Sequence, residues 1–310
     1  LEPWIEDFEA SVFEGLSQEN KSIPCRFLYD DIGSRLFDRI CTLPEYYPMR
    51  CEAEILCERS QELSRLLPSS ATVIEWGAGS TTKAALLLRS LRSPITYVPI
   101  DISQTRLVAS SAAMLSNHQD LAVIAVRADF AKPITLPDDV PLKPRIGFFP
   151  GSTIGNFSPA EAVLLLRQIG LLLGPGGWLI IGVDLKKNPR LLHAAYNDAE
   201  GVTAAFNLNL LNRINRELGG HFDRNMFLHH AFYAVRQGRI EMHICSAVRQ
   251  EVWIGERRFG FREHETIHSE NSYKYAIDEF VSLSEEAGFD VVRTWTDRFS
   301  LFSMHVMVVR

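Results

Sequence analysis

Between residues 71 and 184, apolar and polar positions follow two alternating rhythms. Short, nearly continuous apolar runs at 71–76, 95–100, 121–126, 146–149 and 178–184 predict buried strands. Stretches with helical spacing at about 83–91, 103–117 and 158–173 fall between them. Strands alternating with helices predict a parallel sheet with right-handed crossovers. Within this pattern, residues 148–156 start as an apolar strand and break at Pro150-Gly151. They end in Ser152, Thr153 and Asn156. Ser158-Pro159-Ala160-Glu161 then has the capping-box form, with proline at the first helical position. A loop at the carboxyl end of such a strand is where an open α/β sheet holds its ligand.

The flanks follow other patterns. Trp4, Ile5, Phe8, Val12 and Phe13 predict a helical opening within residues 1–28, and residues 50–67 predict a long helix ending at Pro68. Between them, Leu43-Pro44-Glu45-Tyr46-Tyr47-Pro48 holds two tyrosines on a segment stiffened by two prolines. After Lys186 the spacing predicts helix over most of 188–218. Antiparallel strands are expected at 227–235, 239–248 and 251–254. A helix at 276–287 and strands at 290–296 and 302–309 close the chain.

Composition narrows the classes. The 310 residues are 46% hydrophobic and 23% charged, which makes a globular protein. A net charge of -6 without a basic run argues against nucleic acid, and no apolar stretch is long enough to span a bilayer. Five cysteines without a CxxC pair argue against a disulfide framework and against a zinc site, and favour a reducing cytoplasm.

Three features mark a nucleotide-like ligand. Gly77-Ala78-Gly79 opens a helix after the first strand, Asp101 ends the second, and Asp129-Phe130 follow the third. Glycines allow close backbone approach, an acid can bind ribose hydroxyls, and an aromatic can stack on a purine. The ligand is a dinucleotide, as in a nicotinamide oxidoreductase, or S-adenosylmethionine (SAM). Thr82 stands where a dinucleotide site has its third glycine, which favours SAM and a Class I, Rossmann-like methyltransferase core.

Six motifs carry a resemblance. They are Tyr29-Asp30-Asp31-Ile32-Gly33-Ser34, Leu43-Pro44-Glu45-Tyr46-Tyr47-Pro48, Gly151-Ser152-Thr153-Ile154-Gly155-Asn156, Ala195-Tyr196-Asn197-Asp198, the run 201–207 and Glu270-x-Ser272-x-Lys274-Tyr275. Nearly end to end, the chain resembles the histidine-specific Nα-methyltransferases that make hercynine for ergothioneine biosynthesis. The resemblance implies a SAM-binding α/β core at 51–186 and 275–310, with a second, α+β substrate domain at 1–50 and 187–274. It further implies that Asn156 and Tyr196 hold the substrate carboxylate. Tyr29 and Gly151 lie at the amino group, and Glu270 and Ser272 grip the imidazole beside Tyr46. Gly77, Lys83, Asp101, Asp129 and Phe130 are implied to bind the cofactor. A cytoplasmic monomer acting on a small molecule is expected. The alternative within the same chemistry is methylation of another amino acid or an alkaloid amine.

The residue chemistry suits these roles. An Asn amide and a Tyr hydroxyl can donate to a carboxylate without adding charge. An imidazole needs an acceptor for one N–H and a partner for its other nitrogen. Glu270 and Ser272 are two apart, so on an extended segment both face one side.

Overall fold

The computed structural model describes residues 3–79, 81–118, 120–141 and 144–310, with side chains from residue 7 onward. Ser80, within the predicted glycine-rich turn, and the side chains of Trp4 and Ile5 therefore lie outside the described residues. The chain divides into two compact units. One comprises residues 1–46 and 188–272, the other 47–187 and 273–310.

The second of these is built on one twisted sheet. Its strands in chain order are β1 (Thr72–Trp76), β2 (Thr96–Asp101), β3 (Ala122–Val123), β4 (Val126–Arg127), β5 (Arg145–Phe149) and β6 (Trp178–Asp184). All pair in parallel, with β1 between β2 and β5, and β6 beside β5. The expected third strand is interrupted at residues 124–125: β3 and β4 each pair briefly with β2. β5 and β6 read as unbroken apolar runs because their faces are buried. Phe148, Phe149, Ile180 and Ile181 are all fully inaccessible, and burying each such side chain contributes about 1.5–3 kcal/mol.

Helices fill the crossovers. Pro159–Leu173 starts at a complete capping box: Glu161 accepts from the Ser158 N–H at 2.8 Å, and Ser158 Oγ accepts from the Glu161 N–H at 3.4 Å. Leu165, Leu166, Ile169 and Leu173 of that helix join the core, at the spacing of one face. The expected helix at 50–67 is two helices, Pro48–Glu58 and Ser60–Leu66, which part at Arg59.

The other unit carries the antiparallel strands β7 (Phe227–Ala234), β8 (Arg239–Ser246), β9 (Gln250–Ile254), β10 (Arg257–Phe261) and β11 (Thr266–Tyr273). β11, β8 and β7 form one sheet in that order, and β9 pairs with β10. The helix Val202–Leu218 buries Phe206, Leu210, Leu211 and Ile214. β11 delivers the chain back to the parallel sheet, where β12 (Phe289–Thr296) and β13 (Phe302–Val309) complete it. β13 inserts antiparallel between β6 and β12. Among the described residues, no helix is long and apolar enough to cross a membrane.

Candidate active site

The turn after β1 explains both of its glycines. Gly77 has φ of +74°, and a Cβ there would meet only the edge of the Phe130 ring, at 3.8 Å. Gly79 is small for another reason. A Cβ would collide with the Arg106 guanidinium, which donates to the Gly79 carbonyl at 2.7 Å. The second glycine thus admits an arginine, whereas its spacing alone suggested close approach of a ligand. Asp101 closes β2 and accepts from the Ser103 N–H at 2.8 Å; burial pushes its carboxyl above the ordinary value. Asp129 is buried and accepts from the Ala131 N–H at 3.0 Å, and Phe130 packs edge-on against Phe149. An open glycine turn, a carboxylate at the end of the next strand and an aromatic beside the glycine fit an adenosyl ligand.

Lys83 reaches a residue that the sequence did not bring forward. Its Nζ lies 2.7 Å from Glu52 Oε2, and Glu52 is fully buried. The Gly151 N–H donates to both Glu52 oxygens, at 3.0 and 2.9 Å. A carboxylate so far from water needs such partners. Glu52 therefore ties the helix after β1 to the loop after β5. Its helical spacing to Ile55 and Leu56, both buried, was the available signal.

That loop is tightly held. Ser152 sits in the left-handed region at φ +56°, and its Oγ accepts from the Asp184 N–H at 2.9 Å. Gly155 lies against backbone: a Cβ would stand 2.8 Å from the Tyr273 carbonyl. Asn156 ends the 3-10 turn Thr153–Asn156. Below, Asp184 accepts from the Tyr47 hydroxyl at 2.9 and 2.8 Å and pairs with Lys187 at 2.5 Å and Lys274 at 2.7 Å. Burial alone would raise its pKa, but Lys274 and Lys187 outweigh it and hold the carboxyl below its ordinary value. Burial pushes the Lys187 ammonium down to about 8.

The remaining predicted residues, Tyr29, Tyr46, Tyr196, Glu270 and Ser272, come together in the other unit. Tyr29 follows a short 3-10 turn, Tyr196 ends the helix Pro189–Tyr196, and Glu270 and Ser272 lie on β11. The Tyr29 ring meets Phe37 and Phe206 edge-on, at 5.5 and 5.3 Å between centroids. Phe37 continues to Tyr46 at 6.1 Å, and Tyr46 to Tyr196 at 6.5 Å. The Tyr29 hydroxyl lies 3.5 Å from Glu270 Oε2, a long contact, and the Tyr196 hydroxyl donates to Ser272 Oγ at 2.7 Å. Burial first, then nearby acidic groups, raises the phenols of Tyr29 and Tyr46 well above the ordinary value, so both remain donors. The result is an aromatic enclosure with one carboxylate and several hydroxyls on its wall. Phe206 joins this wall from a helix position that by spacing reads as core.

The fold and the first site define a SAM-dependent methyltransferase: the parallel order β3-β2-β1-β5-β6, with β13 antiparallel beside β6, carries an adenosyl-type turn after β1. The family model described as "Histidine-specific methyltransferase, SAM-dependent" matches residues 8–309, and the chain belongs to this family. It is 37% identical over 299 residues to a histidine N-alpha-methyltransferase of Mycobacterium tuberculosis, covering 94% of this chain and 92% of that one. A histidine N-alpha-methyltransferase of Mycolicibacterium smegmatis is 35% identical over 308 residues, covering 98% of this chain and 95% of that one. Among solved structures, a possible exported protein from Bordetella parapertussis shares the fold with a TM-score of 0.51 at 16% identity. That match covers 96% of this chain and 86% of the other. Membership in this family sets aside the nicotinamide alternative.

Proposed function

We propose that the protein is an L-histidine Nα-methyltransferase. It transfers three methyl groups from SAM to the α-amino nitrogen and yields the trimethylated betaine, hercynine, for ergothioneine biosynthesis. The observation that supports this most is the pairing of Glu270 and Ser272 on one strand, inside an enclosure of Tyr29, Tyr46 and Tyr196. A carboxylate accepts the proton of one ring nitrogen, and a serine hydroxyl can donate to the other or accept from it. An indole has one N–H and would leave part of this set unpaired, which such a site penalises strongly.

In this reading residues 1–50 and 187–274 bind histidine, and residues 51–186 and 275–310 bind SAM. Asn156 and Tyr196 are the carboxylate donors. Tyr29 and the Gly151 carbonyl are the hydrogen-bond partners of the amine. Gly77, Lys83, Asp101, Asp129 and Phe130 form the cofactor set. SAM supplies an electrophilic methyl group. The chain's own groups desolvate and orient the amine, whose lone pair becomes available once its proton passes to water. Holding the nitrogen in line supplies most of the rate. The same reading makes the enzyme a cytoplasmic monomer.

The deciding experiment mixes purified protein with histidine and SAM and follows S-adenosylhomocysteine and product mass. Mono-, di- and trimethylhistidine are expected in turn. No turnover of histidine, with turnover of another amine, would overturn the reading.

A further inference from the structure

β8 and β11 lie side by side, and Glu241, His243 and His268 each bring a ligand atom within 4.8 Å of the others. Glu241 and His243 are two apart on β8 and so share a face. The far atom of each side chain is already held. Arg239 donates to Glu241 Oε1 from Nε at 2.9 Å and from Nη2 at 2.6 Å. His268 Nε2 lies 3.1 Å from the Glu270 carbonyl, which can only accept, so the proton sits on Nε2 and Nδ1 keeps its lone pair. His243 Nε2 lies 3.0 Å from Glu241 Oε2, and its Nδ1 lies 3.2 Å from Thr266 Oγ1. A hydroxyl both donates and accepts, so His243 can change tautomer and release Nε2 without losing Thr266.

This is the arrangement metal ligands show: an outer partner fixes each ring and carboxylate while the inner atoms converge. An independent feature lies alongside. The Asn271 side chain lies within reach of the His268 ring, and its Oδ1 is buried. We propose that Glu241, His243 and His268 form a binding site for a divalent first-row transition ion of the zinc type, with Asn271 Oδ1 as an adjacent oxygen donor. Imidazole and carboxylate together suit such ions. Bonds of about 2.0–2.1 Å place tetrahedral donors about 3.3 Å apart, so small side-chain rotations close the site. Two of the ligands stand two apart on β8, the third lies 25 residues beyond His243, and none is a cysteine, so cysteine spacing gave no hint of them.

The test is calorimetric titration of the full chain with Zn²⁺, paired with the visible absorption of Co²⁺. One ion per chain is expected, with affinity at least about tenfold weaker in His243→Ala or His268→Ala and absent in the double variant. Co²⁺ bands should appear in the wild type and vanish with the double variant. No uptake by the wild type, or equal uptake by wild type and double variant, would overturn the proposal. The His243 side chain keeps 14% of its surface exposed, and far-ultraviolet circular dichroism checks that each variant keeps the fold. Should the double variant not fold, Glu241→Gln decides alone: unchanged Zn²⁺ affinity rejects the site, and a loss of about tenfold or more supports it.

Discussion

Tyr196 donates its phenolic hydrogen to Ser272 Oγ across 2.7 Å, and both side chains are buried. In the proposed complex each turns to substrate, Tyr196 to the carboxylate and Ser272 to the ring. Tyr196→Phe removes one charge-assisted bond, worth about 1.5–3 kcal/mol. The histidine KM should therefore rise roughly ten- to hundredfold, with kcat changed far less. Steady-state kinetics with histidine as the varied substrate checks this; an unchanged KM removes Tyr196 from carboxylate binding.

Glu270→Ala takes away the carboxylate acceptor on β11. Histidine use should fall by about two orders of magnitude or more in kcat/KM. Affinity for S-adenosylhomocysteine, read by calorimetry, should stay within about threefold. Histidine turnover at full efficiency would show that the ring is read elsewhere.

Asn156→Ala tests the loop after β5. The expected outcome is a higher histidine requirement with S-adenosylhomocysteine binding nearly intact. A parallel loss of cofactor affinity would instead assign Asn156 to the SAM side.

Glu52→Ala leaves Lys83 buried without its carboxylate and the Gly151 N–H without its acceptor. Breaking a buried pair from one side costs about 3–5 kcal/mol. Urea unfolding should show that loss, and cofactor affinity should drop with it, because both Lys83 and Gly151 lose their anchor. A variant as stable as the wild type would contradict the geometry.

Stability should also depend on pH through Glu75, which is buried and hydrogen-bonded by Tyr97. Burial pushes its carboxyl up to about 8, although Tyr97 and Lys83 pull it down. The folded chain thus keeps a proton that the unfolded chain releases at about pH 4.3. This contribution is complete below the unfolded value and is lost as pH rises toward about 8. Denaturant midpoints should fall between about pH 5 and about pH 8, and Glu75→Gln should flatten that slope. An identical slope in the variant would mean that other groups titrate.

The parallel core was legible because buried strands leave unbroken apolar runs: residues 146–149 and 302–309 correspond to β5 and β13 almost residue for residue. No strand bounds are legible for β10, and of β11 only the extended stretch around Glu270 and Ser272 is. Thr266–Tyr273 runs through His268, Ser269, Glu270, Asn271 and Ser272, polar residues that serve the enclosure and the histidine cluster rather than an apolar core. The aromatic and carboxylate wall was named from motifs, and the structure gathers Tyr29, Tyr46, Tyr196, Glu270 and Ser272 in one unit. Glu52 and Asp184 could not be found that way. Lys187 is near Asp184 in sequence, but Lys83, Lys274 and Tyr47 arrive from distant stretches of chain to make that burial tolerable, and no local pattern encodes that.

The aromatic wall also bears on how successive turnovers follow one another. Each methyl group removes an N–H donor from the amine, and the last leaves a fixed positive charge that can form no hydrogen bond. In the proposed complex, rings such as Tyr29, Phe37 and Phe206 would offer that cation their π faces, an interaction worth about 2 kcal/mol when water is excluded. Affinity for the nitrogen then shifts from hydroxyls to rings as methylation proceeds. Partly methylated amino acids should be retained rather than released, and the finished betaine should compete with fresh histidine, so that turnover slows as product accumulates.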